Sequence, residues 1–151
     1  MAEPDSYDFE KLAREIITSR LADIPAETAA SAAAEVAAKI IVAGVLSTSK
    51  RQDPHLTVSG ICRGVMSGML LIEKDLVATS VALLKSMAGL AAETHLDPAE
   101  MMTWAMEGIA AVCAVGHEDL KAEIREALEQ NFMGTGEVFG EVLAKAARPK
   151  G

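Results

Sequence analysis

Between Leu56 and Ala92 the chain has no proline, and Val58, Cys62, Val65, Met69, Ile72, Leu76, Thr79, Leu83, Ser86 and Leu90 recur at alternating steps of four and three residues. That stepping keeps all of them on one stripe of a helix, whereas a strand would repeat every second residue. An unbroken helix here would be on the order of 55 Å long at 1.5 Å per residue. The cluster Glu73-Lys74-Asp75 is where it would bend or break, leaving a helix pair over 56–92 in place of one long central helix. In either form the stripe needs other helices to cover it.

The rest of the chain is helix-forming too. Alanine supplies 27 of the 151 residues, and with Leu, Met, Glu and Lys it leaves almost no alternating β pattern. Half the residues are hydrophobic, enough for a core without disulfides or metals. The expectation is an all-α, single-domain bundle of six or seven amphipathic helices over 8–147, with flexible ends at 1–7 and 148–151. The first helix is predicted over Asp8–Ala22, burying Phe9, Leu12, Ala13, Ile16, Ile17 and Leu21. Pro25 opens a second, which carries Val36, Ile40, Ile41 and Leu46 and frays in Ser47–Gln52. Asp53-Pro54 and Asp97-Pro98 read as N-caps followed by proline at the first helical position, and Glu100 can complete a capping box with Asp97. The helix opened by Asp97 carries Met101, Trp104, Gly108, Ala111 and Val115 on one stripe and ends near Gly116. A short helix over Glu118–Gln130 follows, Gly134-Thr135-Gly136 forms a turn, and a last helix runs over Glu137–Ala147. Val65-Met66-Ser67-Gly68-Met69 is echoed by Ala105-Met106-Glu107-Gly108-Ile109, and each is followed by Asp-Leu, at Asp75-Leu76 and Asp119-Leu120. Duplicated helical hairpins would account for this.

Small residues spaced by four form the second constraint. Gly60, Gly64 and Gly68 lie inside a predicted helix, Ala78, Ala82 and Ser86 continue the step, and Gly136, Gly140 and Ala144 repeat it. Each interior glycine costs about 1 kcal/mol against alanine, so close approach of another helix is needed as compensation. That neighbour is a helix of the same chain, a second copy or lipid. Gly60, Gly64 and Gly68, with Met66, Met69 and Trp104, are therefore the interface candidates. Methionines fill irregular gaps between alanine-rich helices as readily as they form a malleable binding face, and Trp104 serves equally as core or anchor.

Catalytic and ligating constellations are sparse. His55, His95 and His117 fall at predicted helix ends, and no two are spaced for a shared metal on one helix. Glu93, His95, Asp97 and Glu100 share a loop, but Asp97 and Glu100 are already assigned to capping and the Glu-x-x-His pair of di-metal bundles is missing. Cys62 and Cys113 lie on apolar helix faces, where a thiol behaves as a small hydrophobe. The chain carries no phosphate-binding glycine loop ending in Lys, no GxSxG and no CxxC. No catalytic, cofactor-binding or metal-binding residue is assigned.

A net charge of −8 argues against nucleic acid, as do the few aromatic rings: three Phe, one Tyr and one Trp. Residues Met1–Tyr7 carry acids and no apolar run, unlike a secretory signal, so a cytoplasmic location is expected. Glu35 and Lys39 interrupt the alanine-rich stretch, so no transmembrane span is expected. The functional expectation is a non-enzymatic protein acting by self-association, with a dimer favoured, and by protein–protein interaction. The alternative is an amphipathic binder of hydrophobic ligand, lipid or a granule surface, in the manner of phasin-like proteins. A third reading is a small enzyme or a metal or cofactor carrier built on the bundle interior.

Overall fold

The computed structural model describes residues 8–46 and 53–147, which form seven helices and no strand. They are α1 (Phe9–Arg20), α2 (Ala26–Leu46), α3 (Pro54–Leu71), α4 (Leu76–Thr94), α5 (Pro98–Cys113), α6 (Glu118–Asn131) and α7 (Thr135–Ala147). The expected fraying of Ser47–Gln52 and the flexible ends at 1–7 and 148–151 lie outside the described residues.

Aspartates begin four of these helices. Asp8, Asp53, Asp75 and Asp97 accept backbone N–H groups of Lys11, His55, Ala78 and Glu100 at 2.9–3.0 Å, satisfying donors that the first helical turn leaves without a partner. Pro54 and Pro98 follow two of the caps, where a missing N–H does no harm. The segment 56–92 is a helix pair. Glu73 adopts φ 61°, a left-handed conformation incompatible with a continuing helix, and Asp75 caps the next one. The stripe survives the break: apart from Ile72 and Ser86, which are half-buried, all its members are buried.

The helices form two layers. Odd-numbered helices pack in chain order, α1 on α3, α3 on α5 and α5 on α7, while α2, α4 and α6 pack in order behind them. Glycine determines how closely the first layer stacks. A Cβ on Gly64 would lie 2.2 Å from the Glu10 carbonyl oxygen, and one on Gly68 2.7 Å from the Ile17 side chain, so α1 lies against the bare backbone of α3. A Cβ on Gly108 would lie 2.4 Å from the Ser59 carbonyl oxygen, so α3 lies against α5 in the same way. The contacts step from Glu10 to Ala13 to Ile17 as α3 advances from Gly60 to Gly68, hence α1 and α3 run parallel.

This equivalence fixes the register of the internal echo. Matching Gly68 to Gly108 is one helical turn out; the glycines with the same role are Gly64 and Gly108, 44 residues apart, as are Asp53 and Asp97 and the two prolines. At that offset Ile61, Cys62, Val65, Met66 and Met69 correspond to Ala105, Met106, Ile109, Ala110 and Cys113, all buried. The segments α3–α4 and α5–α6 thus follow one design in their first helices, at an offset typical of helical repeats, although α4 packs back on α3 whereas α6 packs on α4 and α7. The match is not complete at the second helix, since Asp75 caps α4 while Asp119 sits in the first turn of α6 and His117 occupies the cap position.

Several details differ from the sequence reading. Helix α5 ends at Cys113, before Gly116, and leaves Val115 87% exposed. Helix α7 begins at Thr135, because only Gly134 takes a positive φ, at 88°. Its buried anchor is Phe139. Leu46, at the last turn of α2, is exposed as well.

Candidate functional site

Of the six interface candidates, Gly64, Gly68, Met66 and Met69 are buried within the chain. The two glycines receive α1, and the two methionines are core side chains, Met66 lying 3.8 Å from the Ser80 hydroxyl through its sulfur. Gly60 is half-buried with the Glu10 backbone nitrogen 4.0 Å from a Cβ position, so it belongs to the same seam. The face that reads from sequence as a possible contact between chains is filled by α1, whose Ala13 and Ile17 need the flat glycine surface to reach the core.

Trp104 is half-buried and stacked on His55, with ring centroids 5.2 Å apart and planes 13° from parallel. His55 Nε2 also pairs with Glu107 Oε1, one turn along α5 from Trp104. Both partners keep about two-fifths of their side chains exposed, 41% and 39%. The cluster joins the first turn of α3 to the middle of α5. Nothing in the sequence pairs residues 52 positions apart, so this use of His55 is not visible there. Chemically, an imidazole held by a carboxylate could move a proton. Its neighbours, however, are an indole face and solvent, and neither groove described below includes any of the three residues.

Burial pushes the Cys62 thiol up to about 12, and it raises Cys113 to about 11 against a smaller lowering by Lys121. Both are therefore protonated and poor nucleophiles at neutral pH. Among the described residues no group of three or more His, Cys, Asp or Glu side chains is placed to hold a metal ion. His95 takes φ 61° at the end of α4, and Asp97 is engaged by the Glu100 N–H.

Two open grooves lie among the described residues. Between α6 and α7, Gly136 and Gly140 let Glu129 and Arg125 lie across the helix. The Glu129 carboxylate accepts the Gly134 N–H at 3.0 Å and the Gly136 N–H at 2.9 Å, capping α7 from the preceding helix. These two backbone bonds hold its carboxyl below the usual range, with a smaller lowering from Arg125. The second groove lies between α2 and α4. Its floor is Ala30, Ala34 and Ala38 of α2 against Ala78, Ala82 and Val81 of α4, with Ser31 and Ser86 beside them and Glu27, Glu35 and Lys85 on its rim. The ridge Ala78-Ala82-Ser86 thus lines this open groove, as Gly136, Gly140 and Ala144 line the one between α6 and α7.

Helices α2 and α4 are also long and apolar enough to cross a membrane by length and composition, with mean hydropathies of 1.7 and 1.4. Only 33% of the apolar stretch of α2 and 44% of that of α4 are buried inside the fold, so much of their apolar surface faces outward. Comparison with protein-family models, with curated proteins and with solved structures finds no match for this chain.

Proposed function

We propose that this protein works by self-association and protein–protein interaction, without chemistry of its own, through the outer face of α2 and α4. The observation that supports this is the pairing of two apolar helices whose alanine and serine side chains leave a shallow, open groove. Small side chains let another helix approach closely, and dispersion gains rise steeply as that gap closes. Stacked helical repeats characteristically present such extended surfaces to partners. Sedimentation velocity over a concentration series tests the reading. A rise in mass with loading is expected, and a monomer throughout, with no partner recovered by crosslinking in its host, would refute it.

The hydropathy of α2 and α4 favours one second reading, attachment of this face to lipid or another hydrophobic surface. Against it, Glu35, Lys39 and Lys85 lie exposed within the two helices, where contact with hydrocarbon would strip them of water. Co-flotation with vesicles, accompanied by a gain in helicity, would favour lipid; absence of both leaves the protein-binding reading in place.

A further inference from the structure

Lys74 Nζ donates to the Ile24 carbonyl at 2.9 Å, tying the residues just ahead of α4 to those just ahead of α2. The two helices therefore start together and run in the same direction. Glu35 is the tenth residue of α2 and Lys85 the tenth of α4, so the two charges flank the groove at the same level. Both are exposed, and neither belongs to an ion pair among the described residues.

From this arrangement we infer that the occupant of the groove is a second copy of the chain, related by a two-fold axis running along the groove. The inference rests on the self-association reading above and names its surface and symmetry. A two-fold parallel to the helices lays α2 of one copy on α4 of the other and preserves helix direction. Glu35 then faces Lys85 of the second copy at the same height, and Lys85 faces Glu35, so one unpaired couple in the monomer becomes two ion pairs in the dimer. Isologous contact requires this kind of self-complementarity. A lipid surface has no use for the opposite charges of Glu35 and Lys85, nor for Glu27 on the same rim. Two helices about 30 Å long and about 10 Å apart present on the order of 600 Å², near the lower end of what a specific interface takes from each partner. A dimer in the micromolar range is therefore expected, made close by Ala34, Ala38, Ala78 and Ala82 and oriented by the charges.

Charge exchange in the full chain, read by sedimentation equilibrium from micromolar to submillimolar loading, tests it. Glu35→Lys and Lys85→Glu should each weaken dimerisation by roughly tenfold or more, because each places two like-charge contacts in the interface. The double exchange, Glu35→Lys with Lys85→Glu, should restore it. Far-UV circular dichroism checks that each variant folds; for one that does not, Glu35→Gln or Lys85→Gln replaces it, with a smaller loss of the same sign expected. Dimers of unchanged affinity in both single variants, or a double exchange that fails to recover, would place the interface elsewhere and overturn the inference while leaving self-association standing. A wild-type chain that stays monomeric at every loading would refute both.

Discussion

Replacing Gly64 by alanine is the most direct perturbation of the seam that organises the first layer. The new Cβ would lie 2.2 Å from the Glu10 carbonyl oxygen and 3.0 Å from the Ala13 Cβ. The obstruction is backbone, which no rotamer change can relieve. To reach ordinary contact, α1 must retreat by about 1 Å, and a gap of that size forfeits a quarter to a half of each dispersion contact it opens. Ala13 and Ile17 lie at that seam fully buried, and overpacking of this kind costs about 1–3 kcal/mol, or more where the backbone must move. The alanine returns about 1 kcal/mol through helix propensity. A net loss of about 2 kcal/mol is expected, lowering the urea midpoint by about 1 M at a slope near 2 kcal/mol/M. Gly89 provides the control, since a Cβ there meets nothing within 4 Å and Gly89→Ala should gain up to about 1 kcal/mol. Urea unfolding followed by far-UV circular dichroism measures both. A Gly64→Ala variant as stable as wild type would mean that α1 is not seated on the glycine ridge, and the packing argument would fail.

Glu129→Gln should loosen α7 at neutral pH, because the amide no longer offers a charged acceptor to the Gly134 and Gly136 N–H groups. The wild-type carboxyl is lowered in the folded state, so its contribution is present above the unfolded carboxyl value of about 4.3 and is lost as pH falls through the folded value. Urea midpoints taken from neutral to acid pH should show that loss in wild type and a flatter profile in the variant; identical profiles would remove Glu129 as the cap. Thr57 is 2% exposed, and its hydroxyl has no hydrogen-bond partner among the described residues, so Thr57→Val should be stabilising by about 1 kcal/mol in thermal unfolding. A destabilised Thr57→Val would show that the hydroxyl is satisfied. At pH 8 a thiol reagent should modify Cys62 and Cys113 at least about a hundredfold more slowly in the folded than in the urea-unfolded chain, since burial keeps both protonated. Fast labelling of either in the native state would contradict their placement.

Local signals in the sequence carry through to the fold. Aspartates 53 and 97 with their prolines mark helix starts through backbone chemistry confined to a few residues, and they begin helices in the structure. The stripe from Val58 to Leu90 is legible because burial imposes a helical period on side chains whatever covers them. What covers them is not local. Gly64 announces a close neighbour but not which one, and both answers, a helix of the same chain or of another, leave the same spacing. Only the placement of Glu10 and Ala13 shows that the neighbour is α1. The same holds for His55 and Glu107, which meet only because α3 and α5 stack. Alanines 30, 34 and 38 repeat every four residues and so signal a small-residue stripe, yet in an alanine-rich helix that signal disappears into the background. Their meeting with Ala78 and Ala82 needs the two helices to lie side by side.

The central claim is that this chain acts by joining another chain through the outer surface of α2 and α4. Native mass spectrometry of the full protein purified from its own host tests it most directly, because one spectrum reports both the number of chains and any bound mass. A clean mass of twice the chain, falling to one when Glu35 is changed to Lys, is the expected result. A monomer carrying extra mass that is lost on denaturation would contradict it, and the protein would then be a carrier of a bound ligand.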